Sequence, residues 1–489
     1  MRNLKERVIR GGAAKLCGQT ANLMLRLGFV ATMARLLSPE DFGLFAMVIA
    51  VTGIYDLFTT GGLSLATVQR PTITEEQISN LFWVNLLIGI ILCFMCFVSA
   101  PFLVALYSEP RLFWITVALG GGFLFNAAGV QHSALLQRQL RYVGLTTIEL
   151  ASLLVSYVLG IGLALWGFGY WALVGSTITT PAVSSALMWI FTGWMPSLPR
   201  RFVDVRSMLR FGGIVTLNNL IVHIAYNLDK LLIGRVWGPG ALGLYGTAYQ
   251  LVNVPTRALI EVVGVVGFSA LSRLQEDPHR VKIYFLKGCS LLVSLTAPIT
   301  IFAAFFADDI VLVVLGSQWM EAAPIFRLLA PTILVFSIIN PTGLLLQTSG
   351  LHVRSLIVAL ALAPLTIAGY LVGLPYGPMG VAAGFSTAML LWVVPHVIWC
   401  LHNTGISPRE FLGATWRPFF ASIVATGLAF GISQLWLAQF QSPFVRLLFL
   451  ASIMVGSYLC ILVFAMGQKA LYLGLLKDLG VLRSRFAVL

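Results

Sequence analysis

The sequence predicts an all-α polytopic membrane protein with about fourteen transmembrane helices. Two six-helix lobes are expected as parallel pseudo-repeats around a central cavity, with two more helices at the C-terminal end. Three observations predict this. Hydrophobic residues make up 58% of the chain and charged residues only 10%, and the mean hydropathy is +0.91, whereas soluble domains carry about 25% charged residues. Apolar runs of about 20 residues recur along the whole length, long enough as helices to cross a hydrocarbon core of about 30 Å, and the short alternating segments of an outer-membrane barrel are not seen. Finally, the pattern from Arg10 to Asp56 returns at a fixed offset from Arg210 to Glu261, with Arg35, Pro39, Gly43 and Leu44 reappearing as Arg235, Pro239, Gly243 and Leu244.

The first lobe, 1–192, opens with the basic start Met1 to Arg10, which has no signal-peptide cleavage pattern and reads as a cytoplasmic tail before a retained helix. Spans are expected at 11–36, 43–67, 80–106, 112–136, 143–166 and 169–192, many of them separated by Gly or Pro punctuation such as Ser38-Pro39 and Gly167-Phe168-Gly169. A cytoplasmic linker, 193–208, leads to the second lobe, 209–401. Its spans are expected at 209–236, 241–268, 284–307, 323–347, 352–373 and 378–401. A second echo supports the repeat: Gly167, Ala172, Ser176 and Thr177 recur as Gly377, Ala382, Ser386 and Thr387. The extra pair, 402–467, supplies spans at 414–436 and 444–467. The tail, 468–489, spaces Leu471, Leu475, Leu479 and Leu482 among basic residues and suits a helix lying on the inner surface.

Most of the 31 Lys and Arg residues fall in segments that are cytoplasmic if the amino terminus is inside; Arg35, Arg111, Arg235, Arg327 and Arg446 remain on the outer side. That asymmetry places both termini in the cytoplasm. The net charge of +13 is therefore a membrane-topology signal, and nucleic acid is excluded as its explanation. All six cysteines sit in apolar segments, so no disulfide framework, metal site or redox pair is expected. No phosphate-binding Gly-Lys-Ser/Thr loop and no long extramembrane stretch is present, which argues against direct use of ATP and against an enzyme or a cofactor.

Charge inside an apolar chain is the functional signal. Lys15, Gln19, Asn22 and Arg26 share one helix face; Asn219, His223, Tyr226 and Lys230 repeat the spacing. Gln250, Asn253, Arg257 and Glu261 form a third stripe, and Thr52, Asp56 and Thr60 a fourth. An ionised group at mid-bilayer costs roughly 2.5 to 3.5 kcal/mol, so these stripes should face water or each other. The expected substrate-binding residues are Lys15, Arg26, Lys230, Arg257, Asn22, Asn219, Tyr226 and Asn253. Asp56, Asp229 and Glu261 are the expected coupling or charge-pair residues, with Asp56 and Arg257 near-equivalent across the pseudo-axis. An excess of cations suits an anionic passenger, and the planar fork of Arg suits phosphate oxygens.

Several motifs are now specific in combination: Ala34 to Leu44 (Ala-Arg-Leu-Leu-Ser-Pro-Glu-Asp-Phe-Gly-Leu), Val68-Gln69-Arg70, Leu81 to Asn85, Ala134 to Arg138, Asn227 to Arg235, Phe268 to Gln275 and Leu315 to Trp319. In order and spacing the chain resembles the polysaccharide exporters of the multidrug/oligosaccharidyl-lipid/polysaccharide superfamily, the group that holds the colanic-acid, O-antigen and succinoglycan exporters. The resemblance implies two six-helix lobes and two extra helices. It also implies translocation of undecaprenyl-pyrophosphate-linked oligosaccharide repeat units across the bacterial inner membrane, ahead of a polymerase and chain-length regulator. A multidrug antiporter of the same superfamily would favour an acidic, aromatic cavity, and a membrane glycosyltransferase or ligase would need a larger outer loop.

Overall fold

The computed structural model describes residues 2–60, 67, 73–199, 227–254, 256, 277–349, 351–436 and 442–468. Every regular element among them is helical. Helix α1 spans Arg2–Leu36 and α2 Pro39–Thr60, followed by α3 (Glu75–Tyr107), α4 (Leu112–Arg138), α5 (Tyr142–Leu165) and α6 (Trp171–Thr192). Helix α7 covers 227–254 and turns at Gly238, whose φ is +80°. Then come α8 (Pro278–Phe305), the short α9 (Ala307–Val314) and α10 (Ala322–Leu329), α11 (Pro331–Thr348), α12 (His352–Gly373), α13 (Gly377–Leu401), α14 (Pro408–Trp436) and α15 (Pro443–Cys460). Long apolar helices of this kind make the chain a multi-pass membrane protein.

Where expected spans fall on described residues, helices stand in their places, with three differences. The spans expected at 209–236 and 241–268 are joined through 236–241 in the single helix α7. The basic start is helical from Arg2, so α1 is a 35-residue helix rather than a tail followed by a span. The span expected at 323–347 is divided at Ala330-Pro331 into α10 and α11, because Pro331 lacks the N–H that would continue the ladder. The amphipathic helix expected after Gln468 lies outside the described residues.

The chain divides into two units, Met1–Thr247 with Tyr370–Val381, and Ala248–Gly369 with Ala382–Leu489. In the first, α3 packs along α4, α4 on α2 and α6, and α5 between α1 and α6. The α3/α4 pair is close because Gly89 faces Ala127 and Gly120 faces Cys96, with no room at either glycine for a larger residue. A core of Met33, Leu37, Ala164, Ala172 and Leu173 ties α1, α5 and α6 together.

In the second unit α8 packs against α11 and α14, and α15 lies on α14. Ala421, Ala425 and Ala429, one turn apart on α14, are fully buried against Leu450, Met454 and Tyr458. Small residues at that spacing let helix backbones approach closely. The Tyr458 hydroxyl donates to the Ser294 carbonyl of α8 at 2.8 Å, so the C-terminal pair is docked on this unit. In the first turn of α9, Asp308 pairs with Arg327 and Asp309 with Arg446.

Candidate functional site

The site begins at the turn between α1 and α2. Ser38 caps α2: its backbone N–H and hydroxyl both donate to Asp41 Oδ2, at 3.0 and 2.7 Å, while the Asp41 N–H donates to the Ser38 hydroxyl at 3.2 Å. This is a capping box with Asp in the acidic position and Pro39 at the first helical position. The free oxygen of Asp41 accepts from the Tyr170 N–H at 3.0 Å, fixing α2 to the start of α6. Arg111 clasps Glu40 at 2.6 Å and Glu109 at 2.7 Å.

The two copies of the repeat meet at this turn. A methyl group on Gly43 would overlap the carbonyl oxygen of Pro239, and one on Gly243 would overlap the carbonyl oxygen of Pro39. Residue i of the first copy touches residue j of the second, and residue j of the first touches residue i of the second. Such reciprocity is the signature of a local two-fold relation. Both glycines are therefore required by close backbone approach, and the two copies are closed on one another here.

Below the seam lie the charged groups. With 1.5 Å of rise per residue, Arg26 lies about 15 Å and Asn22 about 21 Å from the α1 end at Leu36. Met33 and Leu37 continue the Arg26 face at i+7 and i+11 and are buried at 0% and 4%. Arg26, on that same protein-facing side, is exposed. The packed core around Met33 and Leu37 therefore does not extend down to Arg26. Its neighbour Tyr157 on α5 lies within reach of its charge and stacks on Phe29 with ring centroids 4.0 Å apart. On α2, Thr52 is buried and Asp56, one turn on, is exposed.

On α7 the Lys230 ammonium donates to Asn227 Oδ1 at 2.6 Å. Asp229, next to it, is 0% exposed. Its carboxylate accepts from the Tyr245 hydroxyl at 2.7 Å and from the Lys230 N–H at 2.8 Å. The structure thus brings Asn227, Asp229, Lys230 and Tyr245 into one cluster. Asn253 is half-buried on the same helix but belongs to the other unit. Lys15 lies on α1 within the expected stripe; Asn219, Tyr226, Arg257 and Glu261 lie outside the described residues. Among the described residues no group of His, Cys, Asp and Glu could hold a metal ion.

A family model described as "Polysaccharide biosynthesis protein" matches residues 32–324. The chain belongs to the polysaccharide biosynthesis protein family. It is 25% identical over 435 residues to "Lipopolysaccharide biosynthesis protein WzxC" of Escherichia coli (strain K12), covering 86% of each chain. It is 24% identical to "Succinoglycan biosynthesis transport protein ExoT" of Rhizobium meliloti (strain 1021), covering 66% of this chain and 67% of that one. Its fold matches that of "Lipid II flippase MurJ, inward closed conformation" with a TM-score of 0.71 and 15% identity, covering 95% of this chain and 100% of that one. An inward-facing multidrug resistance transporter matches with a TM-score of 0.64 at 14% identity, covering 79% and 94%. The polysaccharide biosynthesis family match takes in Asp56, Asp229 and Lys230 but begins after Lys15, Asn22 and Arg26.

Sequence reasoning missed Tyr245 and Tyr157. The signal for Tyr245 was present: at the repeat offset Phe29 and Phe45 become Asp229 and Tyr245. Phe29 and Phe45 pack on one apolar core in this member of the polysaccharide biosynthesis family, and a hydrogen-bonded pair takes their place in the second copy.

Proposed function

We propose that this protein translocates undecaprenyl-pyrophosphate-linked oligosaccharide repeat units from the cytoplasmic to the periplasmic leaflet of a bacterial inner membrane, for exopolysaccharide or O-antigen synthesis. Sugar hydroxyls and a pyrophosphate lose their water on entering hydrocarbon, so a carrier must supply polar groups along the path while the lipid tail stays in the bilayer. The observation that carries this reading is Arg26, a cation about 15 Å deep and exposed on a face whose continuation is buried. A cation kept accessible at that depth fits an anionic passenger. The relatives named for lipopolysaccharide and succinoglycan biosynthesis support the same class of cargo.

Lys15, Arg26, Lys230 and Arg257, with Asn22, Asn219, Tyr226 and Asn253, line the basic path in this reading. Asp56, Asp229 and Glu261 provide charge pairing or ion coupling. Rocking of the repeat-related lobes, 1–192 and 209–401, gives alternating access, and the Gly43/Gly243 seam is the outer closure. Both termini are cytoplasmic, and the pathway polymerase and chain-length regulator act downstream.

The test is to delete the gene and profile lipid-linked intermediates by leaflet, then complement with wild type or Arg26→Gln. Complete repeat units should accumulate on the inner leaflet, and Arg26→Gln should restore export at least about tenfold less well at equal expression, as expected for loss of one charge-assisted contact. Truncated repeat units would point to a transferase and overturn the proposal.

A further inference from the structure

The second unit carries a shallow open cleft of about 500 Å3 where the second turn of α8, the end of α13 and the start of α14 come together. Its floor is apolar: Leu401 and Ile406 are buried against Phe285 and Phe411. Its polar lining comes from Lys282, His402, Asn403, Ser407 and Glu410. The loop that shapes it is held open by left-handed residues, Asn403 at φ 58° and Gly405 at φ 77°.

Cations gather at this cleft. Lys282 pairs with Glu410 at 2.6 Å, and the same carboxylate is engaged by the cap of α14, where its Oε2 accepts from the Ser407 N–H at 3.0 Å. An ammonium has three donors, and Glu410 occupies one of them. Arg354 donates to the His402 carbonyl and so plants a second cation beside the rim. Arg280, which pairs with Asp277, and Arg409 flank the lining residues in sequence, and the distribution of Lys and Arg along the chain expects this loop on the basic side.

One wall is neither polar nor buried. Ile398 lines the cleft and is 54% exposed, and beyond the lining, on α14, Leu412 and Trp416 are exposed at 64% and 45%. These residues belong to candidate membrane spans, so the cleft opens towards acyl chains. A soluble anion has no use for such a wall, whereas a molecule with a charged head and an apolar tail satisfies both surfaces at once.

We propose that this cleft binds the phosphodiester headgroup of an anionic phospholipid from the basic-side leaflet. Lys282 and the His402-Asn403 edge take the phosphate, and the chains lie along Ile398 and Leu412. The site is separate from the translocation path and does not depend on the identity of the passenger.

Full-length protein, stripped of lipid in detergent, is titrated with phosphatidylglycerol and with phosphatidylcholine, and bound lipid is counted by native mass spectrometry. Wild type should retain phosphatidylglycerol in preference to phosphatidylcholine. Lys282→Gln removes the cation and keeps Glu410, which still accepts from the Ser407 N–H in the cap of α14. It should lower phosphatidylglycerol affinity about fivefold, the usual worth of one cation at an anionic lipid surface, and leave phosphatidylcholine unchanged. Asn403→Gly keeps the left-handed backbone, so it folds where a larger change fails, and it should weaken the same lipid selectively. Equal retention of phosphatidylglycerol by wild type and both variants overturns the proposal. So does displacement of the lipid by glycerol phosphate at equal concentration, which would make the cleft a soluble-anion site.

Discussion

Asp229 is bonded to Tyr245, a carboxylate with no exposed surface held at 2.7 Å by a phenol that is itself fully buried. In the first copy of the repeat the equivalent residues are Phe29 and Phe45. A buried carboxyl with one side-chain hydrogen-bond partner is costly to disturb from either side. Tyr245→Phe should destabilise the protein by about 1–3 kcal/mol, and Asp229→Asn by less than Asp229→Ala. The double variant Asp229→Phe/Tyr245→Phe restores the first-copy chemistry and should recover most of the loss. Unfolding temperatures in detergent read the cycle. If Asp229 also couples transport to an ion, the double variant folds but does not export.

The seam between the repeat copies gives a sharper mutational contrast. Gly43→Ala and Gly243→Ala each place a methyl group inside a facing carbonyl, so each should force the outer turns apart and reduce export more than about tenfold. The two changes should be strongly non-additive, since either one already opens the seam. Gly28→Ala is the internal control: nothing lies within 4 Å of its added methyl, and exchanging Gly for Ala inside a helix should leave folding unharmed or improve it by about 0.5–1 kcal/mol. Cysteine labelling at Ala46 from the outer side should rise in the seam variants and remain low in the control.

Much of this architecture was legible because apolar runs about 20 residues long and Gly/Pro breaks are unambiguous in a bilayer. The offset between Gly43 and Gly243 was visible too, but its cause was not, because a one-dimensional repeat does not say that its copies touch. Periodicity placed Asn22 and Arg26 on one face and could not tell whether that face met lipid, core or open space. The exposure of Arg26 beside the buried Met33 and Leu37 shows that the packed core ends above it. The sequence names Asp229 as a coupling or charge-pair residue but not its partner Tyr245, which lies sixteen residues away across the Gly238 turn, beyond any helical spacing rule.

Between α3 and α4, Arg111 joins Glu40 and Glu109. The Arg111 hydrogen bond, aided by its charge, holds the Glu109 carboxyl below the ordinary range. A depressed folded-state value means this contribution is present above the unfolded value of about 4.3 and is lost as pH falls through the lower folded value. Unfolding temperature should therefore gain no Glu109-dependent step between pH 7 and about 5, and should show one only in stronger acid. Glu109→Gln should remove that step. Arg111→Ala should cost no more than about 1 kcal/mol, since the pairs are partly exposed.

The C-terminal pair tests whether helices outside the repeat carry fold or transport. Tyr458 reaches the Ser294 carbonyl from α15, and Ala425 lies at the buried centre of the α14 stripe. Tyr458→Phe removes one interhelical hydrogen bond, worth about 0.6–2 kcal/mol in a membrane. Ala425→Leu inserts three carbons where no gap exists, and overpacking of that kind costs about 1–3 kcal/mol. Both variants should lower the unfolding temperature, Ala425→Leu more, because a hydroxyl can be lost without moving a helix and a side chain cannot be added without doing so. Neither residue belongs to the polar stripes. Export per folded molecule, measured as surface polysaccharide normalised to folded protein, should therefore remain within about twofold of wild type. A large loss of export with an unchanged unfolding temperature would instead place α14 and α15 among the moving parts.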